Sequence, residues 1–446
     1  MRPEDLALPI ELLYLLAPLI LCLALAAPLH VVLLVDLALA IFPLHWRLAD
    51  VHVDLTDVTL VAVTLALLLR PRARPGWPML RHRWLWFAYG VLLSLAYVNA
   101  PQNQEHLTDP LRIAYQLFHW AWRPVLHYPL YVAFFNDRKK FGAALIAVVL
   151  AADVCAVQAT IQGYASMEAT GPFFSKNELG GMLVIPFLAA IGGFFFSPAR
   201  RSRMFYALSI LAIVRGLTIS GSRGAFVAAV LGVMFFAGGL ALTSYGRARL
   251  VRFGAAAAVL GVVALMLQPH LLERPTLQHM LTASHPEEVD NFQWRKQERW
   301  PLFWDKIMAH PWLGMGTDVD PSLGEDANTP HNGYLSIAVT SGVPVLALFA
   351  TFALVAVRGG LRVFRRARER GHALLGLTLA SAIVAFLIHN MVDSTLQIPF
   401  ATKLFWLLIA GGMLVPRLQS VVQRSPARTP VRRVRAVRAG ALAAAR

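Results

Sequence analysis

Two cysteines in 446 residues are too few for a disulfide framework or a thiolate metal cluster. Cys22 and Cys155 both lie inside apolar runs, where packed thiols are expected. Charge is also scarce: 15% of residues are charged against 57% hydrophobic, and mean hydropathy is +0.56. That balance excludes an ordinary soluble globular domain. No internal repeat of the kind common in secondary transporters is evident. A cleaved signal peptide is not expected either, because only Arg2 precedes the first apolar run and no small-residue site closes it.

What the chain has in quantity is apolar runs of roughly 17 to 25 residues, the length a bilayer crossing requires. They predict spans near 53–69, 84–98, 112–135, 141–163, 178–197, 204–221, 223–242 and 251–268, then 331–357, 372–392 and 399–416. Residues 6–43 would make a helix of about 57 Å, too long for one crossing. They read either as two short spans broken near Pro28 or as one span plus an interfacial helix. The expectation is an all-α polytopic membrane protein of 12 or 13 transmembrane helices.

The formal charge of +16 would suit nucleic acid, but its placement argues for topology instead. Six short segments hold 28 of the 41 Lys and Arg: Arg70–Arg83, Arg138–Lys140, Arg200–Arg203, Arg247–Arg252, Arg358–Arg370 and the tail from Arg417. They fall on alternate loops, the positive-inside pattern, with anionic membrane lipids as their partners. No nucleic-acid partner is expected. The remaining loops are then extracytoplasmic: 44–52, 99–111, 164–177, 220–223, 269–330 and 393–398. The organisation expected is N-terminal transmembrane helices over 1–268, a large periplasmic loop over 269–330, C-terminal helices over 331–416 and a basic cytoplasmic tail over 417–446.

The large loop carries ten acidic residues against five basic ones. Within it Trp300, Phe303, Trp304, Ile307 and Met308 recur at helical spacing and make one apolar face. That face either lies on the outer membrane surface or packs onto the transmembrane helix ends.

Several costly polar residues gather at the extracytoplasmic ends of spans. They are Arg123, Lys176 and Asn177, Arg215, Arg223, and the group His389, Asn390 and Asp393. A charge at membrane depth usually faces a wet cavity or a partner. Arg123 reads as a snorkelling anchor or a substrate contact, and Lys176 as a helix-start residue or a contact. Asp393 reads as a counter-ion to one of the arginines. In Asn328-Thr329-Pro330-His331-Asn332, Thr329 suits an N-cap and Pro330 a first helical position. His331 would then sit in the first turn, where the helix dipole disfavours protonation and an imidazole can serve as general base. Arg295, Lys296 and Arg299 in the large loop are solvated charges, or else join Arg215 and Arg223 in a guanidinium ring for phosphate. Asp318-Val319-Asp320, with Glu287, Glu288 and Asp290, could hold a metal, but the arginines favour a metal-independent site.

The chain resembles the O-antigen ligase family of bacterial membrane glycosyltransferases, which also embraces O-antigen polymerases and protein O-oligosaccharyltransferases. The resemblance rests on Ser222-Arg223-Gly224-Ala225, on an arginine-bearing loop running into His310-Pro311-Trp312-Leu313-Gly314-Met315-Gly316, and on Pro330-His331-Asn332-Gly333-Tyr334-Leu335 with Gly342. It covers roughly residues 170 to 345.

It implies a GT-C-like helical fold in the inner membrane with a periplasmic site, and no cofactor. The glycan would move from undecaprenyl pyrophosphate to lipid A–core oligosaccharide with inversion. The family's histidine corresponds to His331 and its S-R-G arginine to Arg223, and its loop arginine is matched by Arg299 or Arg295. Asn332 neighbours the histidine as a substrate contact. Ligase is preferred to polymerase or protein-glycosylating enzyme because only a short basic tail follows Pro416. A transporter or flippase is the alternative from another class.

Overall fold

A computed structural model describes residues 10–39, 45–48, 51–70, 83–98, 117–163, 169–172, 175–243, 246–248, 250–251, 254, 295–316, 330–395 and 399–424. The helices are α1 (Ile10–Ala26), α2 (Leu29–Leu39), α3 (Leu55–Leu69), α4 (Arg83–Val98), α5 (Arg123–Phe134), α6 (Arg138–Gln162), α7 (Lys176–Phe196), α8 (Arg200–Ser220), α9 (Arg223–Ala241), α10 (Trp300–Ala309), α11 (Gly333–Ser341), α12 (Val343–Arg366), α13 (Arg370–His389) and α14 (Pro399–Arg424). Wide π-helical turns at Leu117–Trp122 and Arg295–Arg299 lead into α5 and α10. Among the described residues six helices, α6 to α9, α12 and α13, are long and apolar enough to cross a membrane, and shorter apolar helices accompany them. The protein is a multi-pass, mostly helical membrane protein.

The first apolar run does break at Pro28, into α1 and α2. Arg70, just past α3, donates to the carbonyls of Ala24 and Ala27 at 3.1 and 3.2 Å. The C-terminal ends of α1 and α3 therefore share one face, and a basic side chain satisfies carbonyls that a helix end leaves free. Where an extracytoplasmic loop was expected, a small antiparallel hairpin forms between β1 (His45–Leu48) and β2 (Val51–Asp54). Of the two cysteines, Cys155 is buried as expected, whereas Cys22 is exposed on the outer surface of α1.

The centre of the bundle is α7 and α13, the most buried of the long helices. Small residues bring helices close where hydrophobic burial alone gives no drive inside lipid. A Cβ at Gly360 of α12 would lie 2.5 Å from the carbonyl of Gly376 on α13, so nothing larger than glycine fits. An aromatic block of Tyr89, Tyr128, Phe352 and Trp406 ties α4, α5, α12 and α14 together. Val227, Met234, Leu208 and Leu354 point outward, as lipid-facing residues do.

Two expected boundaries change. The run 331–357 is not one helix, because Gly342 adopts φ 86° between α11 and α12. A Cβ there would also meet the Trp312 carbonyl oxygen at 2.2 Å. The last helix continues beyond Pro416 to Arg424. Most of the span expected at 251–268, and the 268/269 boundary with it, lies outside the described residues.

Candidate functional site

The site is built where helix ends meet. The four last carbonyls of a helix lack intrahelical partners, and the first four N–H groups of another lack theirs. The C-terminal end of α13 and the N-terminal end of α11 satisfy each other. Gly333 N–H donates to the carbonyls of Asn390 (2.8 Å) and Asp393 (3.1 Å). Asn332 Nδ2 donates to the Met391 carbonyl (3.1 Å) and Tyr334 Oη to the Leu387 carbonyl (2.7 Å). Gly333 must be small, since a Cβ would stand 2.7 Å from Asn390 Oδ1.

This bolt fixes His331, and it corrects the expected cap. The N-cap of α11 is Asn332, whose Oδ1 accepts from the N–H groups of Tyr334 (3.0 Å) and Leu335 (3.2 Å). His331 therefore precedes the helix rather than sitting in its first turn, and Thr329 lies outside the described residues. The backbone of His331 is left-handed, φ 47°, the only non-glycine with positive φ among the described residues. Such a conformation costs an ordinary residue about 1 kcal/mol and tends to persist where function over-determines it. Trp300 Nε1 donates to the Pro330 carbonyl at 3.1 Å and so ties the start of α10 to this segment.

Asp393 stands between two imidazoles. Its Oδ1 is 3.9 Å from His331 Nδ1, and its Oδ2 is 3.9 Å from His389 Nε2. Two histidines thus stand closest to the Asp393 carboxylate, and Arg295 is near enough to feel its charge, as the expected counter-ion role requires. Burial raises the Asp393 pKa, but the neighbouring His331 and His389 rings and the Ser394 N–H outweigh it and hold the group below the usual carboxylate value.

Arg295 donates to the Val392 carbonyl at 3.4 Å, which places it on the same turn. Burial and the neighbouring Arg299 pull its pKa down, while Asp393 opposes them. The two guanidinium groups are thus near each other and partly withdrawn from bulk water. Arg299 itself is buried.

Arg223 opens α9, half-buried, after Gly221, which has φ 65° and ends α8 as a left-handed cap. Its neighbour Gly224 touches the same turn, for a Cβ there would meet Val392 Cγ2 at 2.6 Å. Lys176 and Asn177 form the first turn of α7, capped by Ser175 Oγ accepting from Glu178 N–H at 3.2 Å, and the Asn177 backbone adjoins His389. Arg215 is half-buried about one and a half turns below the C-terminal end of α8.

Of the predicted residues, the helix ends thus bring together His331, Asn332, Asp393, Arg295, Arg223 and Asn177. Over them, Phe303 and Ile307 of α10 pack on Ala338 and Val339 of α11, which decides for packing on that half of the aromatic helix. Trp304 and Met308 remain exposed. Gly314 (φ 67°) lets Met315 and Gly316 donate to the Val339 and Thr340 carbonyls at 2.7 and 3.0 Å.

Residues 207–350 match the O-antigen ligase family model. That segment, about a third of the chain, is similar to the O-antigen ligase family. The match runs from α8 through α12 and contains Arg215, Arg223, Arg295, Arg299 and His331, while Lys176, Asn177, His389 and Asp393 lie beyond it. Comparison with curated proteins finds no match. The O-antigen ligase family is one of membrane glycosyltransferases of lipopolysaccharide assembly, working in general on lipid-linked glycans and lipid A–core.

Arg123 does not join this site, and the anchor reading is overturned. It is 4% exposed, and its Nη1 donates to Asp54 (2.7 Å) and Asp57 (2.9 Å). Beside it Lys403 Nζ bonds Asp36 (2.9 Å) and Thr56 Oγ1 (2.5 Å). Asp36 and Lys403 went unremarked in the sequence, although a charge inside each of two apolar runs was the available signal. His389 was noted there only as part of a helix end. Asp318, Asp320, Glu287, Glu288 and Asp290 lie outside the described residues.

Proposed function

We propose that this protein transfers an O-antigen glycan from undecaprenyl pyrophosphate to lipid A–core oligosaccharide, at the periplasmic face of the bacterial inner membrane. The observation that carries the proposal is His331 beside Asp393, with Arg295 on the same turn and Arg223 at the adjoining helix start. A hydroxyl acceptor needs a proton acceptor, and a pyrophosphate leaving group needs fixed positive charge. Both lie within one set of helix ends.

In the reaction the acceptor hydroxyl oxygen bonds the anomeric carbon of the donor sugar. The bond from that carbon to pyrophosphate breaks, and undecaprenyl pyrophosphate leaves with the electron pair. His331 takes the hydroxyl proton, with Asp393 stabilising the imidazolium that results. Arg223, Arg295, Arg299 and Arg215 hold the pyrophosphate and balance its growing charge. One displacement on one face inverts the anomeric centre. Lys176, Asn177 and Asn332 line the approach as substrate contacts. No metal is required, because the guanidinium groups supply the charge.

The test is reconstitution with the polyprenyl-linked glycan and lipid A–core, followed by His331→Ala. A general base contributes about 10²- to 10⁴-fold, and a loss of that size in kcat is expected without loss of folded protein. Undiminished transfer by His331→Ala would remove the histidine from the chemistry. Transfer to a second polyprenyl-linked glycan in place of lipid A–core would make the protein a polymerase. Activity abolished by chelator and restored by Mg²⁺ or Mn²⁺ would overturn the metal-free mechanism.

A further inference from the structure

His389 has a setting that an inert core histidine does not need. It is 1% exposed at the C-terminal end of α13, and among the described residues neither ring nitrogen makes a hydrogen bond of ordinary geometry, although the Asn177 backbone and Asp393 stand beside the ring. Buried polar atoms are nearly always satisfied, and orphans call for an explanation. The ring is also seated sterically. A Cβ at Gly181 of α7 would lie 2.2 Å from its Nε2, and one at Gly224 of α9 would lie 3.6 Å from its Nδ1. Gly181 therefore has to be glycine where the imidazole sits, while Gly224 brings α9 to ordinary contact distance of the ring. Around it Ser222 Oγ, Ser394 Oγ and Thr395 Oγ1 are likewise buried without partners.

We propose that His389 is a positioning residue for His331, acting through Asp393. The inference rests on the proposed role of His331. Oδ1 of Asp393 accepts from Ser394 N–H at 2.8 Å and faces His331, which leaves Oδ2 for His389 four residues earlier in the chain. Each imidazole is about 1 Å beyond hydrogen-bond range of its oxygen. Such contacts commonly tighten when substrate binds. With Nε2–H of His389 donating to Oδ2, the carboxylate cannot turn away, and Oδ1 keeps His331 in the tautomer whose Nε2 is open to the acceptor. The charged or titratable groups facing Asp393 are His331 from the α11 lead-in, His389 from α13 and Arg295 from the turn before α10, with Arg299 behind it.

Two substitutions separate positioning from packing. Glutamine can set an amide N–H where Nε2 was, and leucine cannot. His389→Leu is expected to lower kcat on the order of tenfold to hundredfold with KM within about twofold, whereas His389→Gln stays near wild type. Combined with Asp393→Asn, His389→Leu should add little further loss, because both act through one carboxylate. A readout without turnover comes from carbethoxylation of the partly exposed His331 as a function of pH, with the modified residue identified by mass spectrometry. The protonation midpoint of His331 should fall in Asp393→Asn, move in the same direction in His389→Leu and hold in His389→Gln. A wild-type midpoint in His389→Leu, or losses of kcat that add fully, would overturn the proposal. If His331→Ala still transfers glycan while the midpoints shift as stated, the base role fails and the positioning contact stands.

Discussion

Among the described residues, two buried polar clusters are built in different ways. One joins the hairpin, α2, α3, α5 and α14: Arg123 with Asp54 and Asp57, and Lys403 with Asp36 and Thr56, at 2.5 to 3.0 Å. The other joins the ends of α7, α9, α11 and α13, where His331, Asp393 and His389 stand 3.9 Å apart beside partly desolvated Arg295. In the first cluster the charges are neutralised at contact distance, although His127 Nε2 and Tyr131 Oη beside them lack hydrogen-bond partners among the described residues. In the second the charges stand beyond contact distance, the His389 ring nitrogens lack hydrogen bonds of ordinary geometry among the described residues, and His331 is left-handed. Completed networks hold helices together, and incomplete ones leave room for a substrate to complete them.

The sharpest way to break this contrast is to remove one partner of the first cluster. Lys403→Met leaves Asp36 buried without its cation, and a loss of about 3–5 kcal/mol is expected, read as detergent-solubilised protein that no longer melts cooperatively. Asp36→Leu with Lys403→Met should recover most of it, because the pair is then replaced rather than broken. If the single variant melts like wild type, the cluster is not structural.

Arg295→Gln comes next, with an expected rise of about tenfold in the donor KM and little change in melting, since its charge waits for an anion. His331→Gly should be inactive and yet about 1 kcal/mol more stable, because glycine accepts φ 47° without strain. A variant less stable than wild type would show that the histidine earns its conformation through contacts.

The smallest effect is in acid. Asp393 has a folded pKa below its unfolded value of 3.8, so its contribution is present above that value and lost as pH falls through the folded one. Wild type should lose melting temperature in that window relative to Asp393→Asn.

Much of the fold was legible, because burying a peptide in lipid demands long apolar helices. The Pro28 break and most helix limits followed from that. The candidate site was legible as a set of costly polar residues, but not as a geometry. Thr329 and Pro330 carried the ordinary marks of a helix start, yet Asn332 is the cap, because its amide also reaches Met391 on another helix. Nothing local in Gly342 showed that the backbone of Trp312 would press against it.

Amino-acid order by itself determined that the chain is a many-helix membrane protein with polar residues gathered at one set of helix ends, since apolar length and charge placement are properties of local sequence. Only tertiary structure decided which of those residues meet. Arg123 and Asp393 look alike in sequence, each a lone charge at a span end. Packing gave the first two carboxylates at bonding distance and the second two histidines just out of reach, and that difference in closure separates a brace from a candidate site.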